Sequence, residues 1–93
     1  MIDRINTIFL GFPVIDEVTL YGSRAMGNFK SGSDIDLTFK GEHIDHSTLY
    51  KIERALDDLL LPYIFDLSLW SHIDNPELLE HIDRVGIVFY HHH

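Results

Sequence analysis

The sequence predicts one small α/β domain of the α+β type, in which a mixed β-sheet of three to four strands is flanked by helices. Two features of the chain support this fold class. Short apolar segments with the alternation of strands are interleaved with segments in which apolar residues recur at helical spacing. The chain has 93 residues, a length that fits one domain with a modest core and leaves no room for a second, substrate-binding domain.

The first half of the chain predicts one helix and two strands. From Met1 to Leu10 the apolar residues recur near the helical period, and Gly11-Phe12-Pro13 ends that pattern. The residues from Val14 to Tyr21 form the first predicted strand, and those from Asp34 to Lys40 form the second. Because the segment between them is short, we expect these two strands to be neighbours in the sheet.

A second amphipathic helix is predicted from about Thr48 to Leu60. Either Asp45 or Ser47 can cap its start, and Pro62 stops it. Its predicted apolar stripe consists of Leu49, Ile52, Leu56, Leu59 and Leu60. With charged residues around the other side, this spacing is typical of a helix that covers one face of a sheet.

The last third of the chain predicts a strand, a helix and a short terminal strand or extended tail. The strand runs from Tyr63 to Trp70. Asn75-Pro76-Glu77 then supplies a capping side chain, a proline at the first helical position and an acid near the positive end of the helix dipole. Gly86 ends this helix, and Ile87 to Tyr90 is the apolar end of the domain. Residues 91–93 are three histidines that resemble the remnant of an affinity tag, so we assign residues 1–90 to the domain.

Composition and charge restrict the classes of function that we expect for this chain. The chain is 45% hydrophobic and has no apolar run near the length of a membrane span, no signal-peptide pattern and no cysteine, so a cytoplasmic protein without thiolate metal sites is expected. The formal net charge of −8 repels nucleic-acid phosphates, which argues against an extended nucleic-acid surface. A polyanionic nucleotide could bind only where metal ions or local cations reverse this field.

The clearest chemical pattern begins where the first predicted strand ends. Gly22-Ser23 breaks the apolar segment before a helix-forming run that starts at Arg24. Free backbone N–H groups at a helix start attract phosphate, and glycine lets the phosphate approach closely. Ser23 adds a hydroxyl, while Arg24 and Lys30 are the cations near this turn. The pattern therefore predicts a phosphate-binding turn.

Two aspartates follow on the second predicted strand. Asp34 and Asp36 are separated by one residue, so on a strand they share one face roughly 7 Å apart, while Ile35 and Leu37 point to the other face. An Asp-x-Asp pair alone is common on solvated strand edges. Next to a phosphate-turn candidate, however, two mutually repelling carboxylates on a strand indicate a bound cation.

A third carboxylate, Asp66, lies within the apolar third strand. The alternatives are a hydrogen-bonded structural aspartate and the third ligand of a metal cluster with the first two acids, and we favour the cluster. The histidines give no comparable signal. His43 and His46 belong to a segment that we interpret as a solvated loop. His72 and His81 are not spaced as the ligands of one metal ion.

The segment GSRAMGNFKSGSDIDL, with Gly-Ser, ten residues and Asp-x-Asp, resembles the signature of the DNA polymerase β-like nucleotidyltransferase superfamily. It is most similar to the minimal nucleotidyltransferases (MNT proteins) that accompany HEPN proteins in bacteria and archaea, and the resemblance covers nearly the whole chain. Lys30 stands where many relatives carry arginine, which keeps the charge but loses the bidentate fork. The resemblance implies a polymerase β-like nucleotidyltransferase fold.

Nucleotidyl transfer assigns a role to each residue. Two divalent ions about 4 Å apart stabilise charge on the attacking and leaving oxygens. Asp34 and Asp36 would bridge the ions, and Asp66 would bind the acceptor-side ion and accept the proton. The nucleotide-binding residues would be Gly22 and Ser23, at the β- and γ-phosphates of ATP, with Arg24 and Lys30 neutralising charge. Oxygen-only ligands favour Mg²⁺, or Mn²⁺ in its place.

The acceptor does not follow from the residues themselves. The resemblance implies an antitoxin that transfers AMP from ATP to a tyrosine of a cognate HEPN ribonuclease toxin and also binds that toxin. Two alternatives stay open: neutralisation of the partner by binding alone, and transfer to a small-molecule acceptor such as an aminoglycoside. Homo-oligomers and hetero-oligomers are both compatible with the apolar stripes of the helices.

Overall fold

A computed structural model describes residues 2–22, 34–61 and 63–91 of the chain. This part contains three α-helices, four β-strands and one short 3₁₀ helix. In chain order they are α1 (Ile2–Leu10), β1 (Glu17–Tyr21), β2 (Ile35–Lys40), α2 (His46–Asp57), β3 (Phe65–Leu69), the 3₁₀ helix (Trp70–His72), α3 (Pro76–Val85) and β4 (Ile87–His91). None of the helices in these ranges is long and apolar enough to cross a membrane.

The four strands form one mixed sheet in the order β3-β2-β1-β4. β1 pairs with both β2 and β4 in antiparallel orientation, whereas β2 and β3 are parallel. A parallel pair needs a crossover connection, and α2 provides it between β2 and β3. The predicted fold class is therefore confirmed, as is the prediction that the first two strands are neighbours.

The two faces of the sheet differ in what covers them. On one face, α1 and α2 bury an apolar core in which Phe9 packs edge-on against Phe39 and Tyr90, with ring centroids 5.5 Å apart in both pairs. On the other face, α3 lies against β1, and Thr19 and Thr38 are buried there. This face therefore carries polar side chains, in contrast to the apolar core on the other face.

Side-chain caps begin α2 and α3 as the sequence predicts. The Asp45 carboxylate accepts a hydrogen bond of 2.8 Å from the Thr48 N–H, and Asn75 Oδ1 accepts one of 2.9 Å from the Glu77 N–H. These bonds satisfy backbone donors that have no partner inside the helix. Gly86 ends α3, where an added Cβ would collide with the carbonyl oxygen of Ile82.

Several predicted boundaries differ from the observed ones. β1 begins at Glu17 rather than at Val14, because the chain from Phe12 to Ile15 makes a turn closed by the Ile15 N–H and the Phe12 carbonyl. α2 ends at Asp57 rather than at Leu60. Leu60 has a φ of 54° and a side chain that is 89% exposed, so its place in the apolar stripe was predicted wrongly.

The remaining differences lie at the ends of β3 and β4. β3 is shorter than predicted at both ends, because residues 70–72 form the 3₁₀ helix and the strand begins only at Phe65. β4 extends to His91, which is in register with Glu17, and so reaches one residue into the segment predicted to be a tag remnant. Residues 92 and 93 lie outside the described part of the chain.

Candidate active site

Two of the three predicted carboxylates are direct neighbours across the parallel strand pair. Asp36 of β2 is in register with Asp66 of β3. Residues in register on adjacent strands project from the same face, with the strands about 4.8 Å apart. Ile35 and Leu37, on either side of Asp36, are buried in the core on the opposite face. The alternation of β2 therefore holds Asp36 on the face that carries α3.

Electrostatics show that Asp36 lies in a field of negative charge. Partial burial raises the pKa of its carboxyl above the usual value, and the charges of Asp66 and Asp34 raise it further. Among the described residues that influence this pKa, only His81 of α3 acts in the opposite direction. Asp34 and Asp66 are both exposed, whereas Asp36 is half-buried. Asp66 and Asp34 are thus close enough to disfavour the ionised form of Asp36, and a cation would relieve that repulsion.

The backbone at the end of β1 packs directly against Asp36. Gly22 has a φ of 79°, a conformation that favours glycine. A Cβ placed at Gly22 would collide with the carboxylate oxygen Oδ2 of Asp36. Any other residue here would strain the backbone and push the Asp36 carboxylate out of its position. The structure places the glycine of the predicted phosphate turn beside the predicted metal ligand, while Ser23, Arg24 and Lys30 lie outside the described residues.

Two aromatic residues that sequence reasoning did not assign to the site lie next to the acids. Tyr21 is in register with Asp36, and its ring meets the His81 ring edge-on with centroids 6.4 Å apart. Burial raises the pKa of the Tyr21 hydroxyl, a hydrogen bond with Ser68 opposes that rise, and the charges of Asp36 and Asp66 add to it. The period-two pattern of β1 could have indicated Tyr21, since the residue immediately precedes the Gly-Ser turn. No local signal indicates His81, because it comes from a distant helix.

The donors present have the chemistry of a site for a hard divalent ion. Asp36 and Asp66 offer carboxylate oxygens in register, and the pKa of Asp36 is raised first by burial and then by the charges of Asp66 and Asp34. Mg²⁺ is commonly held by one or two carboxylates together with water and substrate phosphates. Within residues 2–22, 34–61 and 63–91, no three His, Cys, Asp or Glu side chains form a group that could hold a metal ion. The residues therefore fit a two-carboxylate ion site, and the three-carboxylate cluster stays a prediction.

Comparisons with known proteins identify the family of the chain. Residues 3–93 match the family model described as "Polymerase beta, Nucleotidyltransferase". No curated protein sequence matches the chain closely enough to count as a relative.

Solved structures share the fold at low sequence identity. A chain of a mutant MntA-HpeT toxin–antitoxin has a TM-score of 0.78 and 16% identity, covering 99% of this chain and 74% of that one. A toxin–antitoxin with AMP-PNP gives a TM-score of 0.78 and 18% identity, covering 98% of this chain and 73% of that one. The tri-AMPylated Shewanella oneidensis HEPN toxin in complex with MNT antitoxin gives a TM-score of 0.65 and 15% identity, covering 99% of this chain and 74% of that one. Together with the family match, which spans nearly the whole sequence, these findings show that the chain belongs to the polymerase beta nucleotidyltransferase family.

Proposed function

We propose that this nucleotidyltransferase is the antitoxin of an MNT/HEPN pair and transfers AMP from ATP to a tyrosine hydroxyl of its HEPN toxin. One observation carries the proposal: Asp36 lies in register with Asp66, and its carboxylate packs against the backbone of Gly22, where a Cβ would displace it. Acids and a phosphate-turn glycine in contact are what a metal-bridged triphosphate site needs. Neither feature is needed by a sheet that only has to fold.

Asp34 and Asp36 would hold two divalent ions, Mg²⁺ or Mn²⁺, which supply charge neutralisation at the phosphates and activation of the acceptor hydroxyl when bound. The N–H groups of the turn at Gly22 and Ser23 would orient the β- and γ-phosphates. Arg24 and Lys30 would offset their charge. The half-buried position of Asp36 suits the residue that fixes the nucleotide, since its backbone is locked between two buried neighbours.

Asp66 has the complementary position. It is exposed, so a hydroxyl on the surface of another protein can reach it. In the proposed step the tyrosine oxygen attacks the α-phosphorus, the bond to pyrophosphate breaks, and the tyrosine proton passes to Asp66 and then to solvent.

The comparisons support this acceptor by analogy. One similar structure contains an AMPylated HEPN toxin with an MNT antitoxin, and another contains a toxin–antitoxin with AMP-PNP. The net charge of −8 also favours association with a protein rather than with nucleic acid. What these proteins bind and modify supports the proposed nucleotide and acceptor.

Two further functions are distinguished by one experiment. The purified chain is incubated with its HEPN partner, α-labelled ATP and Mg²⁺, and the partner's mass and ribonuclease activity are measured. We expect label on the partner with the wild-type chain, no label with Asp36→Asn, and normal labelling with the matched control Asp74→Asn, which removes an exposed acid elsewhere. Neutralisation by Asp36→Asn equal to that by wild type would instead identify an antitoxin that acts by binding alone. Label found only on an added aminoglycoside would identify a small-molecule transferase.

A further inference from the structure

Two histidines that are far apart in sequence meet at the carboxyl ends of β2 and β3. His46 is the first residue of α2, and His72 is the last residue of the 3₁₀ helix that follows β3. Their ring nitrogens Nε2 and Nδ1 are 3.0 Å apart, and both residues are exposed. The ring centroids are 4.9 Å apart, with the ring planes inclined by 55°. In the ion-free protein this contact is a hydrogen bond, whose donor depends on the tautomers of the two rings. When both rings carry their proton on the other nitrogen, the pair presents two nitrogen lone pairs side by side at the surface.

These distances match two imidazoles bound to one ion. With metal–nitrogen bonds of about 2.1 Å, nitrogens 3.0 Å apart subtend an angle of about 90° at a shared ion. Each ring centroid would then lie about 3.2 Å from the ion, which places the centroids about 4.6 Å from each other. The observed centroid separation of 4.9 Å is close to this value. The geometry of the hydrogen-bonded pair is thus compatible with an ion that takes the place of the shared proton.

We propose that His46 and His72 form a binding site for a divalent first-row transition ion of the Ni²⁺ or Cu²⁺ class. Neutral imidazole suits these ions, and an angle near 90° is typical of their square-planar and octahedral sites rather than of tetrahedral zinc. The described residues include no third His, Cys, Asp or Glu positioned to complete a cluster, so water fills the remaining positions. The acidic chain attracts cations to this surface, as do Asp45 and Asp74, close in sequence to the two histidines.

This site is separate from the proposed nucleotide site. Asp36 and Asp66 are each the second residue of their strands, whereas the histidines follow the opposite ends of the same strands. An ion held by the pair would fasten the start of α2 to the end of β3, the strand that carries Asp66. Because imidazoles bind Mg²⁺ poorly, the ion that serves the carboxylates would not compete for the histidines.

The test uses Ni²⁺ as the probe. His92 and His93 are replaced by serine in every protein, so that the terminal histidines do not bind the probe, and His91 is kept because it belongs to β4. Calorimetric titration is done at about pH 7.5, where histidine is largely neutral, in millimolar Mg²⁺. We expect one equivalent of Ni²⁺ to bind and its affinity to fall at least about tenfold in either His46→Ala or His72→Ala, since each removes a ligand.

The matched control is His43→Ala, which removes an exposed histidine three residues before His46. It should bind Ni²⁺ as the parent does. The thermal melts of the ion-free variants should match the parent, because both histidines are exposed. Broadening of backbone amide signals by Cu²⁺ should centre on residues 46 and 72. The proposal is overturned if the parent binds no Ni²⁺ at about 1 mM, if His72→Ala binds as tightly as the parent, or if broadening centres elsewhere.

Discussion

Replacing Gly22 with alanine tests whether the contact between the phosphate turn and Asp36 is built into the fold. The substitution adds one methyl group at a residue whose φ is 79°. That methyl would occupy the space taken by the carboxylate of Asp36. The change should therefore affect both the stability of the domain and the position of the carboxylate that we propose as a metal ligand.

The expected loss of stability has two parts. Holding an alanine in a left-handed conformation costs about 1–2 kcal/mol, and forcing the Asp36 side chain away from its rotamer costs about 0.5–1.5 kcal/mol. The smaller entropy of the unfolded alanine chain offsets about 0.4–1 kcal/mol of this. The net loss should be about 0.5–3 kcal/mol. In a domain of this size, each kcal/mol lowers the melting temperature by about 4–8 °C.

Chemical denaturation of four proteins separates the two parts: wild type, Gly22→Ala, Asp36→Ala and the double variant. We expect Gly22→Ala to be less damaging in the Asp36→Ala background, because only the backbone strain remains there. Gly11→Ala is the matched control, since Gly11 has no positive φ and an added Cβ would lie 3.3 Å from the Ile8 carbonyl oxygen. If Gly22→Ala costs no more than Gly11→Ala, or costs the same in both backgrounds, the reasoning about this contact is refuted.

Three further substitutions test the site and its support. Asp36→Asn should stabilise the metal-free chain at neutral pH by about 0.2–1 kcal/mol, since it removes cross-strand repulsion from Asp66. Because the pKa of Asp36 is raised in the folded state, its ionisation destabilises the fold, and this destabilisation grows as the pH rises above the ordinary pKa of 3.8. The variant lacks this destabilisation, so its higher melting temperature at neutral pH should disappear at lower pH. Tyr21→Phe should cost about 0.5–1.5 kcal/mol in urea denaturation through the lost hydrogen bond with Ser68. Asn75→Ala should cost about 1 kcal/mol in the same assay, and an unchanged midpoint would show that the cap contributes nothing.

Local sequence patterns predicted much of the fold because the deciding interactions are local. The alternation through Ile35 and Leu37 placed Asp36 on the face away from the core, and the register with Asp66 agrees with that placement. The caps at Asp45 and Asn75 follow from side chains that reach backbone groups two or three residues away. In each case one periodicity or one short-range hydrogen bond carries the prediction.

Features that depend on distant residues were not predictable in the same way. Leu60 continues the apolar spacing of α2, but the helix has already ended and the residue takes a left-handed conformation. The contact of His81 with Tyr21 depends on how α3 packs on β1, and the contact between His46 and His72 joins residues 26 positions apart. Sequence spacing contains no information about such pairs until the order and register of the strands are known.

The acid pair also bears on the choice between catalysis and binding alone. Asp36 is half-buried and in register with another acid, Asp66. Among the described residues that influence the pKa of its carboxyl, only His81 lowers that pKa. An asparagine would keep its shape, and in a protein that acts only by binding it would remove the repulsion at no functional cost. In a nucleotidyltransferase the same repulsion would favour the binding of a cation. A divalent ion bound by the ionised carboxylates removes the repulsion between them, and the free energy released in this way adds to the affinity for the ion. Added Mg²⁺ should therefore stabilise wild type more than Asp36→Asn, and equal stabilisation of the two would favour the binding-only antitoxin.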